Sequence, residues 1–103
     1  MRKTRAIIKR SDEPYGHMTN ISTRLENLQK LVGGYIEAVA LKPGLVILCN
    51  EEGKLRGLPF NMTIQGEPLV GDIVVIGTEG EEFGDIPIEF AEWKEIVKRG
   101  GSL

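Results

Sequence analysis

The chain switches between two hydrophobic periods, and each switch marks a change of element. Ala6, Ile7 and Ile8 make a short β-prone run that predicts a strand over residues 5–10. Residues 11–20 are polar and carry Pro14 and Gly16, which interrupt regular structure, so a surface loop is expected there. Thr23 and Glu26 have the spacing of a capping box, in which the hydroxyl accepts from a free helical N–H and the carboxylate reaches back. Leu25, Leu28, Leu31 and Val32 then recur on one helical face, and Gly33-Gly34 offers the left-handed residue that ends such a helix. The helix is predicted over residues 23–32.

Past the glycines the period falls to two. Tyr35, Glu37, Val39 and Leu41 share one face and Ile36, Ala38 and Ala40 the other, which predicts a strand. Pro43-Gly44 turns the chain, and Leu45 to Cys49 is an apolar run short enough for a buried strand. Residues 35–41 and 45–49 are therefore expected to pair as an antiparallel hairpin. Residues 50–54 read as a second tight turn, after which Leu55 to Leu58 would return as the third strand of a meander, stopped by Pro59. Residues 60–70 are interrupted by Gly66 and Pro68 and receive no assignment. Gly71-Asp72 turns into Ile73 to Ile76, a further buried strand, and residues 79–85 read as a glycine-spaced acidic loop. Phe90, Trp93, Ile96 and Val97 repeat at helical spacing between Pro87 and Gly100, with Lys98 and Arg99 where cations suit the helix dipole. Trp93 on that apolar face is expected in the core. The pattern as a whole predicts an α+β fold, a largely antiparallel sheet of about five strands with both helices on one face.

At 103 residues the chain is long enough for one core and too short for two, so residues 1–103 are expected to form a single α+β domain. A net charge of -2 argues against a DNA-wrapping protein or a polybasic membrane binder. Local basicity survives: Arg2, Lys3, Arg5, Lys9 and Arg10 all fall in the first ten residues. Cys49 is the only cysteine, which excludes an internal disulfide, and the chain shows no secretory leader and no membrane-length apolar run. The expected location is a reducing cytoplasm.

Each candidate for chemistry has a plainer reading beside it. One histidine and one cysteine without CxxC or HExxH spacing do not make a metal site. His17 and Cys49 would form a catalytic dyad only if the fold joined them, and a thiol inside an apolar strand reads as buried and inert. Glu51 and Glu52 invite acid–base chemistry but sit on an expected turn, where polar side chains are solvated. Glu79, Glu81, Glu82 and Asp85 lack the pattern of a calcium loop. The glycines match neither a Walker nor a Rossmann phosphate loop, so no cofactor is expected. The basic N-terminal segment suits phosphates, or else is an edge strand whose charges block aggregation.

Two stretches, residues 28–37 (LQKLVGGYIE) and 49–61 (CNEEGKLRGLPFN), resemble the family catalogued as domain of unknown function 3846. The Pro14-Tyr15 loop, the Leu69-Val70-Gly71 segment and residues 82–87 with the final helix are also similar, so the resemblance covers nearly the whole chain. It implies a small protein of phages, plasmids and their bacterial hosts without catalytic residues to carry over.

Small phage proteins of this kind often counter host defence, and one route is to sequester a nucleotide-derived immune signal. On that expectation the protein is a non-enzymatic oligomeric binder of an anionic, nucleotide-like small molecule, since so short a chain encloses a ligand only with a second copy of itself. The ligand-binding candidates are Arg5, Lys9, Lys54 and Arg56 for phosphates, Tyr15 and Tyr35 for stacking, His17 as a polar ring beside Tyr15, and with them Asn50 and Asn61. An alternative is an inhibitor or adaptor that docks on another protein through its acidic C-terminal surface, since residues 79–95 carry seven acids and one lysine. A small phosphoester hydrolase using Glu51, Glu52 or His17 is the remote alternative.

Overall fold

The computed structural model describes residues 3–103. Met1 and Arg2 lie outside the described residues, and with them one of the five N-terminal bases. The fold is α+β, as the pattern predicts. The main sheet runs in the order β2 (His17–Ile21), β1 (Thr4–Lys9), β7 (Ile73–Glu79), β4 (Leu45–Asn50), β3 (Ile36–Lys42), with the short β8 (Glu82–Gly84) also on β7. Every pairing is antiparallel. β5 (Phe60–Ile64) and β6 (Glu67–Val70) form a separate two-stranded ribbon. The helices are α1 (Leu25–Val32) and α2 (Phe90–Lys98).

Strict alternation in the central strands gives the sheet two apolar faces, and each is covered. On one face Ile7, Ile47, Ile73 and Val75 pack against Met62, Ile64 and Leu69 of the ribbon and Trp93 and Ile96 of α2. On the other, Ala6, Leu48, Val74 and Ile76 pack against Leu28 and Val32 of α1. The helices thus lie on opposite faces, which corrects the expectation that both cover one. The cause is legible in β4 and β7, which are apolar at consecutive positions and can be buried on both sides. Each fully buried Ile or Leu contributes roughly 1.5–3 kcal/mol.

Other expectations are corrected by backbone chemistry. Part of the segment read as loop, residues 11–20, is β2, because Gly16 at φ 79° turns the chain tightly enough to pair His17 with Ile8. This makes β1 an inner strand instead of an edge. α1 begins later than expected: its N-cap is Arg24, with no side-chain cap, and Thr23 does not act in a capping box. Asn27 Nδ2 instead donates to the Ser22 carbonyl, tying down the approach to the helix. Leu25 is 55% exposed and off the buried face.

The three-stranded meander does not form. Residues 51–57 coil into consecutive turns, held by Gly53 N–H to Asn50 O (3.1 Å) and Arg56 N–H to Glu52 O (2.9 Å), and Gly57 takes φ 66°. β4 therefore pairs with β7 across the space a returning strand would have filled. The unassigned residues 60–70 are the β5–β6 ribbon, turned at Gln65 (φ 49°) and Gly66 (φ 85°). The acidic loop is a β7–β8 hairpin, and a side chain at Gly77 would collide with the Asp85 carbonyl where β8 departs.

Candidate functional site

The structure distributes the sequence-predicted residues over several places. Lys9 and Asn61 meet in the interior: Lys9 is 2% exposed and its Nζ donates to Asn61 Oδ1 at 2.8 Å. Asn61 Nδ2 in turn donates to the carbonyls of Lys9 (3.0 Å) and Gly71 (2.7 Å), so this pair joins β1 to the ribbon. Burial lowers the Lys9 pKa, against a smaller opposing pull from Glu13. Asn50 is likewise structural, donating to Val32 O at 3.2 Å and accepting from Glu52 N–H at 2.8 Å.

Arg56 donates to Gly33 O at 2.8 Å, where the last turn of α1 exposes carbonyls. With Ser11, Lys30 and Asp72 it borders a hollow of about 290 Å³. Tyr15 stands with Lys94 Nζ 5.4 Å from its ring centre, and its carbonyl accepts Trp93 Nε1–H at 2.9 Å. His17 is exposed, 3.8 Å from Glu13. Arg5 is exposed on β1, and its backbone N–H donates to Asp85 Oδ1 at 2.9 Å. His17 and Cys49 are not a dyad: the register from His17 through Ile8 and Val74 to Leu48 puts three strand spacings between them, about 14 Å.

The larger concavity lies elsewhere. A cleft of about 490 Å³ opens between the outer edge of the sheet and the ribbon. β3 supplies Glu37, Ala38 and Val39, the turns after β4 supply Glu51, Lys54 and Leu55, and β6 supplies Glu67 and its neighbours. Cys49 closes the floor; burial first, then Glu37, pushes its thiol pKa up, so it is held as the neutral thiol. The Lys54 ammonium donates to Glu67 Oε2 at 2.8 Å, and that hydrogen bond raises its pKa. Among the described residues Glu37 and Glu51 have no ion pair, which leaves the cleft acidic. Two apolar side chains stand exposed beside it, Leu55 at 90% and Tyr35 at 65%.

Of the predicted residues the cleft gathers Asn50 and Lys54, with Tyr35 joined to it through Glu51 N–H, which donates to the Tyr35 carbonyl. Glu37, Leu55 and Glu67 were missed. Glu67 sits in the unassigned stretch, Glu37 looks like an ordinary solvated strand position, and Leu55 was placed in a strand that does not form. The adjacent polar pair Glu51-Glu52 before a glycine was the available signal for a shaped loop.

No helix among the described residues is long and apolar enough to cross a membrane. No curated protein and no solved structure matches the chain. A family does, over residues 2–99, and its match includes every strand and helix that builds the cleft. The chain belongs to the family described as Domain of unknown function (DUF3846).

Proposed function

We propose that this protein is a docking module that holds a cationic segment of another polypeptide in the cleft between β3 and the β5–β6 ribbon. The observation that carries the reading is that Glu37 and Glu51, neither of them in an ion pair among the described residues, line one cleft with the exposed Leu55. Charge of one sign in a concave site attracts and orients a partner of the other sign, while an exposed leucine supplies apolar area that water disfavours. This docking surface differs from the C-terminal acidic segment, where Glu92 pairs with Lys42 at 3.7 Å and Glu95 with Lys98 at 3.4 Å.

For an anionic ligand the hollow bordered by Lys30 and Arg56 is the more favourable of the two concavities. Amide chemical shifts separate the two readings. Titration with short cationic, neutral and anionic peptides is expected to move Glu37, Lys54, Leu55 and Glu67 with the cationic set alone. Silence there, with shifts at Lys30 and Arg56 from a panel of cyclic and linear nucleotides, would replace docking by nucleotide binding.

A further inference from the structure

The outer edge of β3 is an open ladder. β3 ends the strand order, with β4 on one side and, among the described residues, no strand on the other. Which of its backbone groups face outward follows from one hydrogen bond. Glu51 N–H donates to the Tyr35 carbonyl at 2.8 Å, so Tyr35 is directed toward β4. In an antiparallel pair this direction alternates residue by residue. The N–H and C=O groups of Ile36, Ala38 and Ala40 therefore point away from β4 to the free side.

Exposed edges are usually guarded by proline, a mid-strand charge or a covering element. Here Ala38, Val39 and Ala40 put three small or apolar residues in the middle, with charge only at Glu37 and Lys42. The guard comes later, where a bulge between Ala40 and Lys42 breaks the register and Gln65 Nε2 donates to the Leu41 carbonyl at 3.3 Å. The open stretch is thus short, and its middle, Glu37 to Val39, lines the cleft.

We infer that the partner segment binds by adding a strand to β3 across Ile36, Ala38 and Ala40. This rests on the docking reading and adds its geometry. Side chains of an added strand alternate between faces, so every second residue would overhang the cleft, about 6.7 Å from the next. Arginine or lysine at those positions meets Glu37, Glu51 and Glu67. A second copy of this chain is the poorer occupant, because edge-to-edge pairing would bring two sets of these carboxylates to one seam, and like charges there repel.

The probe is a blocked heptapeptide of alternating arginine and valine, measured by calorimetry in three forms: unmodified, N-methylated at the valine amides, and N-methylated at the arginine amides. In strand addition only one set of amides faces β3. One methylated form is expected to lose at least tenfold in affinity while the other stays within about threefold of the parent. A parent that does not bind would overturn the docking reading itself. A parent that binds with both methylated forms unaffected would overturn strand addition and leave docking standing. On the protein, Ala38→Pro removes an outward N–H without touching the β4 ladder and is expected to match the tenfold loss, whereas Ala38→Val retains binding. If Ala38→Pro fails to fold, the peptide series decides alone, since it uses the unaltered protein.

Discussion

At the scale of single residues, the interior amine is the most informative group. Lys9 is shielded from water and hydrogen-bonded to a neutral amide, so its charged form is penalised by desolvation, and its pKa is lowered. The sign for stability follows from proton counting. Between the lowered folded value and the ordinary unfolded one, the unfolded chain holds more protons, so unfolding free energy rises as pH climbs through that window. The penalty is fully present below the folded pKa and is relieved on the alkaline side. Urea melts from about pH 8 to about pH 10 are expected to show wild type gaining on Lys9→Met. A flat difference would mean that the amine is solvated. Asn61→Ala removes the side-chain acceptor of the amine and the donor to two carbonyls at once, and is expected to cost roughly 3 kcal/mol at neutral pH.

At the scale of elements, helices show which sequence signals are trustworthy. The period of α2 placed Trp93 correctly: it is 0% exposed, and Trp93→Ala is expected to cost about 3–5 kcal/mol, visible as a large drop in Tm. The capping box of α1 misled because a cap requires extended backbone at one particular residue, and here Arg24 at ψ 140° takes that role instead of Thr23. Thr23→Ala should therefore leave Tm nearly unchanged. Arg24→Asp, which supplies an acceptor and a favourable charge at the helix N-terminus, is expected to add about 0.5–1 kcal/mol, read from the same melts. Elements with an internal period, β3, β4, β7 and α2, were legible in the sequence. The ribbon and the turns at 51–57 were not, because their shape comes from positive-φ residues such as Gln65, Gly66 and Gly57 and from hydrogen bonds whose partners no period reveals.

At the scale of the molecule, the cleft depends on topology. Glu37 and Glu67 are thirty positions apart and meet only because the ribbon folds over the sheet face that carries Val39, Leu41 and Ile47. Sequence could place an acid at each position without showing that they face one space. The same geometry makes the site's charge separable from the fold, since both side chains are exposed and the core lies behind them. Substitution of exposed charges shifts stability by roughly 0.5 kcal/mol or less, whereas opposite charges meeting in a concave site act strongly on binding. Glu37→Lys with Glu67→Lys is therefore expected to keep Tm close to wild type and to abolish binding of the alternating arginine–valine peptide. Binding to wild type should weaken as salt rises from about 50 mM to about 300 mM, because added salt shortens the screening length and so weakens attraction between exposed charges. Affinity indifferent to both salt and charge reversal would leave Leu55 and the backbone edge as the only attractions. In that case Leu55→Asp, and not the loss of the carboxylates, would be the substitution that ends docking.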